Sequence, residues 1–117
     1  MGKINSRAKG ARGEREFAKL LRDHGHEARR GQQYSGLGDS PDVVSSLPYH
    51  FEVKRTESLS LYVAMDQAIR DAEPTKPPVV VHKRNGKEWL AVMRMSDFLK
   101  ITNPRNPPKA TRKLRRV

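Results

Sequence analysis

Two short β-strands joined by a turn are predicted by residues 41–55, PDVVSSLPYHFEVKR. Residues 42–44 form the first candidate strand, because two adjacent valines favour extended backbone. Residues 49–55 form the returning strand, in which apolar and polar side chains alternate. The serines, leucine and proline between them supply the turn. The segment therefore predicts an antiparallel pair of strands.

This predicted hairpin brings charged side chains together. Glu52 and Lys54 are two residues apart in the second strand, so their side chains share one face. If the turn centres near Leu47, Asp42 lies roughly opposite Glu52, where two like charges would destabilise the sheet. A divalent cation between the carboxylates would remove that repulsion, and Mg²⁺ prefers such oxygen ligands. The alternative is an ordinary polar sheet face with a same-side ion pair.

The rest of the chain supplies helices and a second strand pair. Apolar side chains recur at helical spacing on either side of the hairpin, and an Asn-Gly pair marks a later turn. Ser60 is a candidate N-cap for the second helix, and Ser96 with Asp97 can cap a third. The predicted order is α, β, β, α, β, β and a short α, over residues 11–24, 42–44, 49–55, 61–72, 79–82, 88–93 and 97–101. This order predicts an α/β domain with one mixed sheet.

Glu14 lies on the apolar stripe of the first predicted helix. It precedes Phe17, Ala18 and Leu21 by three, four and seven residues, so it shares their helix face. A carboxylate on that face is costly unless a cation compensates it, which is a reason to place Glu14 at a metal site. The alternative is that Glu14 sits at the edge of the stripe in the first helical turn, where the helix dipole favours an acid.

Positive charge is concentrated at the two ends of the chain. The net charge is +11, yet residues 1–13 carry four bases and no acid, and residues 103–117 carry six bases and no acid. Such basic ends on a nearly neutral body favour a nucleic acid partner. A solvated tail that only aids solubility would have the same composition. The prolines and bases predict a disordered arm over residues 103–117, attached to a domain of residues 1–102.

Several protein classes are excluded by composition. The chain has no cysteine, so it offers neither a disulfide framework nor a thiolate zinc site. Its longest apolar run, around residues 79–81, is too short to span a membrane. The basic N-terminus is not followed by the apolar stretch of a secretory signal. We therefore expect a cytoplasmic protein of an archaeal or bacterial cell, including a phage-infected one.

The ordered set of Glu14, Pro41-Asp42 and Glu52-Val53-Lys54 resembles the PD-(D/E)XK nuclease pattern. More narrowly, KGARGERE at residues 9–16, followed by Leu20-Leu21 and His24-Gly25, is similar to the start of the archaeal-type Holliday junction resolvases. Arg30 and the segment Leu61-Tyr62-Val63 continue the similarity, which covers residues 9 to 100 or so. The resemblance implies a restriction-endonuclease-like fold, in which helices flank a mixed β-sheet, and it includes phage-encoded members.

The resemblance also implies roles for individual residues. Glu14, Asp42 and Glu52 would match the metal-binding carboxylates of the family, and Lys54 would match its catalytic lysine. Arg30 would match a base near the scissile phosphate. The metal would be Mg²⁺, with Mn²⁺ as a substitute, and it would activate a water for in-line attack on phosphorus.

Some of these assignments have competitors in the sequence. The family uses a loop serine before the aspartate, and both Ser35 and Ser40 fit that role. Asp39 replaces Asp42 as the ligand if the strand starts early. Gln67 lies on the second helix, where it either supports the site or faces solvent. The residues expected to contact DNA are Lys9, Arg12, Arg30, Ser35, Arg55, Arg112, Lys113, Arg115 and Arg116.

The function implied by the resemblance is the resolution of four-way DNA junctions. A homodimer is implied too, since a junction presents two symmetry-related strands to a two-fold protein. A nicking or flap nuclease of the same superfamily is an alternative with the same chemistry. A non-catalytic basic protein that binds nucleic acid is a second alternative, which explains the basic ends but not the convergence of carboxylates and a lysine.

Overall fold

The computed structural model describes residues 6–31 and 41–105, with side chains from residue 10 onward. Its described elements are α1 (Ser6–Asp23), β1 (Ala28–Arg30), β2 (Val43–Ser45), β3 (His50–Arg55), α2 (Leu61–Asp71), β4 (Pro78–Lys83), β5 (Leu90–Val92) and α3 (Met95–Ile101). The strands form one sheet in the order β1-β2-β3-β4-β5. Only the central pair, β3 and β4, is parallel, whereas the other described pairs are antiparallel. The predicted α/β class with one mixed sheet is confirmed.

Helix α1 covers one face of the sheet. Its stripe of Phe17, Ala18 and Leu21 is buried against alternate residues of β2, β3 and β4. The ring of Phe17 lies 5.1 Å from that of Phe51 and 5.3 Å from that of Trp89. Helix α1 ends at Asp23, one residue before the predicted end, and Gly25 beyond it adopts a φ of +90° that other residues rarely tolerate. It begins at Ser6, five residues before the predicted start at residue 11. The helix therefore extends beyond the segment in which apolar side chains recur at helical spacing.

Helix α2 covers the opposite face of β3 and β4. Its buried residues Ala64, Met65 and Ala68 pack on Val80 of β4. Strand β4 is therefore apolar on both sides, which explains three consecutive valines where a half-exposed strand would alternate. Ser60 occupies the predicted N-cap position of α2, although its side chain makes no capping hydrogen bond.

Strand β1 was not predicted from the sequence. Its residues Ala28, Arg29 and Arg30 show no apolar alternation, and they lie at an edge of the sheet with at most partial burial. The strand is held by backbone pairing with β2 and by Arg22, whose guanidinium donates to the carbonyl of Ala28 at 2.9 Å. Backbone pairing of this kind leaves no periodic pattern in the side chains.

One further local prediction is corrected, and another is confirmed. Helix α3 begins at Met95, with Arg94 at the N-cap position, so Ser96 and Asp97 lie inside its first turn and do not cap it. Asp97 instead accepts from Arg94 at 3.0 Å. The second hairpin is confirmed, since β4 and β5 are antiparallel across a turn in which Gly86 has a φ of +73°.

Two of the histidines lie in strands β3 and β4. His50 opens β3 and is buried, and its Nε2 has no hydrogen-bond partner among the described residues. Burial lowers the pKa of its imidazole. His82 lies in β4, where Nε2 is 2.9 Å from the carbonyl oxygen of Thr56. Both histidines belong to central strands, where alternation places them on the α2 face.

No helix in the described part of the chain is long and apolar enough to cross a bilayer. Helix α3 ends one residue before the predicted domain boundary at residue 102. The predicted disordered arm falls largely on residues 106–117, which lie outside the described residues, and so it stays a prediction.

The close approach of α1 to β3 gives a test of the packing. A Cβ placed on Gly13 would lie 2.5 Å from Cβ and 3.1 Å from Cγ of Arg55, atoms too near the strand backbone to move aside. Gly13→Ala should therefore lower the free energy of unfolding by roughly 1–3 kcal/mol, as overpacking usually does. Denaturant titration followed by circular dichroism measures the change.

Gly10→Ala is the matched control in the same helix. A Cβ on Gly10 meets nothing within 4 Å, so only the change in helix propensity remains. That change should raise the free energy of unfolding by roughly 0.5–1 kcal/mol. Similar effects of the two substitutions would contradict the close contact between α1 and β3.

Candidate active site

Asp42 is fixed between β1 and β3 at the start of β2. Its backbone N–H donates to the carbonyl of Phe51 at 3.0 Å, and its own carbonyl accepts from Gly31 at 2.9 Å. Its carboxylate Oδ2 accepts from the backbone N–H of Val53 at 2.8 Å. The pairing of Val43 with Phe51 places Asp42 beside Glu52, as the turn geometry predicted. The carboxylate is therefore held in one orientation by the main chain of its neighbours.

Glu52 is a buried carboxylate on the α2 face of the sheet. Its neighbours Phe51 and Val53 belong to the α1 core, and Glu52 pairs in register with Val80 of the α2 core. The residue is 4% exposed. Burial, and then the nearby charge of Asp42, raise the pKa of Glu52 from 4.5 to about 7. Glu52 is thus a carboxylate whose negative charge is only partly compensated, and it lies beside a second carboxylate.

Lys54 is the cation beside this pair. Its Nζ lies 3.7 Å from Oε2 of Glu52, so the predicted shared face of the two residues is observed. The same Nζ donates to Oε1 of Gln67 at 3.2 Å. Gln67 is half-buried on α2 and faces the sheet, and so it is not a plain surface residue. The amide of Gln67 and the carboxylate of Glu52 together restrain the ammonium group.

Asp71 was not identified from the sequence. It is half-buried in the last turn of α2, and its negative charge raises the pKa of both Glu52 and His50. Asp71 follows Gln67 by four residues, so the two side chains share a helix face. That spacing is the signal in the sequence that could have linked Asp71 to the site.

Glu14 is engaged elsewhere. Its Oε1 accepts from Nε of Arg30 at 2.9 Å, in an ion pair whose side chains are 19% and 43% exposed respectively. Within residues 6–31 and 41–105, no three His, Cys, Asp or Glu side chains are placed to hold a metal ion together. The structure therefore brings Asp42 and Glu52 together, whereas it pairs Glu14 with the arginine that was expected near the phosphate.

The two arginines of β1 face opposite sides of the sheet. Ala28 packs against the α1 core and Arg30 binds Glu14 of α1, so both point toward that helix. Arg29 lies between them and pairs with Val44, which places its exposed side chain on the other face. Glu52 and Lys54 lie on this same face of the sheet. Helix α2 covers the face over β3 and β4 and leaves it open over β1 and β2. Sequence reasoning missed Arg29 because β1 itself was missed.

The other expected DNA contacts differ in their surroundings. Arg55 points toward α1, where its Nε donates to Oε1 of Glu16 at 2.8 Å and its side chain is only 18% exposed. Arg12 is exposed on α1, and Lys9 lies in α1 upstream of the described side chains. The remaining expected DNA contacts lie outside the described residues: Ser35, Arg112, Lys113, Arg115 and Arg116. The alternative site residues Asp39 and Ser40 lie outside them too.

The Asp42–Glu52 pair fits a hard divalent cation. Two carboxylates supply the oxygen ligands that Mg²⁺ and Mn²⁺ prefer. A cation beside them would offset the charge that burial and Asp42 make costly on Glu52. The predicted third ligand, Glu14, is paired with Arg30 in the structure, and its role at the metal stays a prediction.

Comparisons with known proteins agree with this architecture. The fold is similar to that of Hjc, a Holliday junction resolvase from the archaeal hyperthermophile Archaeoglobus fulgidus, with a TM-score of 0.53. The two sequences are 23% identical, over 73% of this chain and 72% of that one, a likeness that establishes the restriction-endonuclease-like fold. No curated protein matches the sequence.

A protein-family model matches almost the whole chain. The family is described as "Phage putative PDDEXK endonuclease", and its model matches residues 5–114. The matched segment includes every residue of the Asp42, Glu52 and Lys54 group. The chain belongs to this phage PD-(D/E)XK endonuclease family and is a nuclease of the PD-(D/E)XK superfamily.

Proposed function

We propose that this nuclease is a metal-dependent endonuclease that hydrolyses phosphodiester bonds in branched DNA, above all in four-way junctions. The observation that carries the proposal is the half-buried Asp42 beside the buried Glu52, with Lys54 next to them on the α2 face of a sheet with this fold. The junction as substrate is supported by the likeness to Hjc, the archaeal Holliday junction resolvase. The basic ends of the chain support DNA as the partner.

In this proposal Asp42 and Glu52 hold Mg²⁺, for which Mn²⁺ can substitute. When bound, such a cation lowers the pKa of a coordinated water and offsets negative charge on the reacting phosphate. Glu14 stays the proposed third carboxylate of the site, directly or through water, and its pairing with Arg30 brings that arginine to the same region. Main-chain donation from Val53 keeps Asp42 in place before the metal arrives.

Lys54 is the residue that meets the phosphate. An ammonium group has three donors, and in the structure Gln67 and Glu52 direct the group without using all of them. The remaining donor capacity can stabilise the negative charge that develops on the phosphoryl oxygens. Attack by water forms one phosphorus–oxygen bond and breaks another, and we propose that the 5′-phosphate and the 3′-hydroxyl are the new ends. Gln67 acts only by positioning Lys54.

The wider setting follows from the same proposal. A homodimer would cut two symmetry-related strands of a junction, and a cytoplasmic location would give it access to DNA. A nicking or flap nuclease has the same site and differs only in the DNA that it accepts. A non-catalytic nucleic-acid-binding protein is no longer an alternative, because the chain belongs to an endonuclease family.

The function is tested by cleavage of matched DNAs with and without Mg²⁺. The wild-type protein should cut a four-way junction faster than a flap, a nicked duplex or an intact duplex, and a chelator should stop the reaction. Asp42→Asn or Glu52→Gln should reduce the cleavage rate by at least about 10²–10³, a typical loss for a group that acts on the transition state. Both variants should still bind the junction, because these carboxylates serve the metal and repel phosphate.

Asp66→Asn is the matched control for these carboxylate variants. Asp66 is an exposed acid of α2 outside the site, so its loss should leave the cleavage rate unchanged. Near wild-type cleavage by Asp42→Asn or Glu52→Gln would remove both residues from the proposed metal site. Equal cleavage of the flap and the junction would favour the flap-nuclease alternative.

The raised pKa of Glu52 predicts an unusual pH dependence in the absence of metal. Its folded-state pKa of about 7 lies above the ordinary 4.5, so the fold favours the protonated carboxyl. The stability that this preference contributes is fully present below pH 4.5 and is lost as the pH rises through 7. By the usual conversion, the loss amounts to at most about 3 kcal/mol.

Thermal melts in a chelator and in Mg²⁺ measure this coupling. From pH 5 to pH 8, the metal-free wild type should lose stability relative to Glu52→Gln, which cannot ionise. Added Mg²⁺ should raise the melting temperature more at pH 8 than at pH 5, because metal and proton compete for one carboxylate. A stability difference between wild type and Glu52→Gln that does not change with pH would contradict the assignment.

Arg29 is expected to contact the DNA backbone on the open face of the sheet. Arg29→Ala should weaken junction binding and reduce the slope of log affinity against log salt by about 0.9, the value for one phosphate contact. Arg84→Ala is the control, since Arg84 is equally an exposed arginine but lies in the turn between β4 and β5. An unchanged salt slope for Arg29→Ala would contradict the contact.

A further inference from the structure

A cavity lies between the last turn of α2, the segment that follows it, and α3. Its volume of about 830 Å³ falls within the range of small-molecule binding sites, roughly 300–1,000 Å³. Its walls do not include Asp42, Glu52 or Lys54. The cavity is therefore separate from the candidate active site.

Helix α2 stands between the cavity and the active site. Gln67 and Asp71 lie on the flank of the helix beside the active site, whereas Ile69 and Glu73 line the cavity. Each cavity residue follows its counterpart by two positions, which is about 200° around a helix. The two sites therefore lie on opposite flanks of α2, and a ligand in one leaves the other accessible.

The floor of the cavity is apolar and partly aromatic. Tyr49, Ile69, Ala72 and Ile101 line it, and each is half-buried. The ring of Tyr49 lies 6.0 Å from that of Phe51, a contact that holds it against the core of the sheet. An aromatic ring beside branched aliphatic side chains suits a flat, weakly polar group such as a nucleobase.

One wall of the cavity is the segment between α2 and β4. Three of residues 74–78 are prolines, whose backbone angle φ is fixed by the ring. The backbone N–H of Lys76 donates to the carbonyl of Glu73 at 3.0 Å, and the N–H of His50 donates to the carbonyl of Pro77 at 3.0 Å. This wall is therefore formed before a ligand arrives, which lowers the entropy cost of binding.

The polar part of the cavity is mainly cationic. Lys76, Arg94 and Lys100 line it, together with the acids Glu73 and Asp97. Asp97 is paired with Arg94, whereas neither lysine forms an ion pair within the described part of the chain. Two lysines and one bound arginine thus outweigh the remaining acid, and the cavity favours an anionic ligand.

Arg94 is oriented for such an anion by a buried acid. Its Nε donates to Oδ2 of Asp97 at 3.0 Å, and Asp97 is only 5% exposed. The contact fixes the plane of the guanidinium and uses Nε alone, so the terminal amino groups keep their donors. A guanidinium held in this way can bind two oxygens of one phosphate.

We infer that this cavity binds a nucleoside monophosphate group. Its base would lie against Tyr49 and Ile69, and its phosphate would lie toward Arg94 and Lys100. The inference goes beyond the proposed function and depends neither on the metal nor on the cleavage of junctions.

The two parts of the cavity together select this ligand. An inorganic anion would use the cations and leave the apolar floor uncovered. An uncharged apolar molecule would cover the floor and leave the cations without a partner. A nucleoside monophosphate carries both a flat ring and a strongly charged group, so it complements both parts.

The test is calorimetric titration of the full-length protein with deoxyadenosine monophosphate in the presence of a chelator. Deoxyadenosine and inorganic phosphate should each bind at least about 10-fold more weakly, because each lacks one half of the ligand. Absence of binding at millimolar nucleotide would overturn the inference. Equally tight binding of inorganic phosphate would overturn it too, by showing a simple anion site.

Lys76→Ala combined with Lys100→Ala should weaken binding of the nucleotide at least about 10-fold. Both lysines are exposed, so the variant should fold normally, which circular dichroism checks. Arg84→Ala combined with Lys87→Ala is the matched control, since it removes the same charge from the exposed turn between β4 and β5. Equal weakening by the two double variants would reduce the effect to net charge and overturn the inference.

Amide chemical shifts of the isotope-labelled protein locate the ligand. Deoxyadenosine monophosphate should shift the signals of Ala72, Lys76 and Ile101 more than those of Val53 and Lys54. The reverse pattern would place the nucleotide at the active-site carboxylates and contradict the assignment.

The nucleotide has two sources, a free nucleotide or the end of a DNA strand. A short single strand with a 5′-phosphate and the same strand without it serve as competitors of deoxyadenosine monophosphate. Displacement by the phosphorylated strand alone assigns the cavity to strand ends, and displacement by neither assigns it to free nucleotides. Equal displacement by both would show that the phosphate monoester is not recognised, against the inference.

Glu52→Gln separates this inference from the proposed function. The variant should bind deoxyadenosine monophosphate like the wild type, because Glu52 does not line the cavity. If the nucleotide binds and the wild type cleaves no DNA, the cavity site stands and the proposed function falls. If the wild type cleaves junctions but binds no nucleotide, the proposed function stands and the cavity site falls.

Discussion

Strand β3 is covered by a helix on each of its faces, and this double burial constrains the rest of the structure. One face gives Phe51 and Val53 to the core beneath α1, while the other gives His50, Glu52 and Lys54 to the side of α2. A strand covered on one side only would have exposed the second set to water. Because side chains alternate between the two faces of a strand, Phe51 and Val53 enter one core while Glu52 is buried on the other face.

The buried carboxylate makes the site costly in the absence of metal. Burial and the charge of Asp42 act on Glu52 in the same direction, and Lys54 compensates them only in part. The neighbours of the site keep these groups in place: the main chain of Val53 binds Asp42, and Gln67 binds Lys54. A preformed pair of carboxylates, in which the charge of Glu52 is only partly compensated, suits a site whose charge balance is completed by a cation.

The face to which a side chain points decides what the basic residues can do. Arg30 and Arg55 point toward α1 and are bound to Glu14 and Glu16, so they stabilise the contact between that helix and the sheet. Arg29 differs from Arg30 by one position and lies on the opposite face. In a sheet, a shift of one residue moves a side chain to the other side, so neighbouring bases can have unrelated roles.

The sequence by itself determined the fold class, both hairpins, the shared face of Glu52 and Lys54, and the placement of Asp42 beside Glu52. Each follows from a local period or a turn, which the chain encodes within a few residues. Only the tertiary structure decided that β1 exists, that Glu14 binds Arg30, that Gln67 reaches Lys54, and that Arg29 lies on the face of Glu52. These facts depend on which strands pair and where a helix crosses the sheet, and such contacts join residues that no local pattern relates.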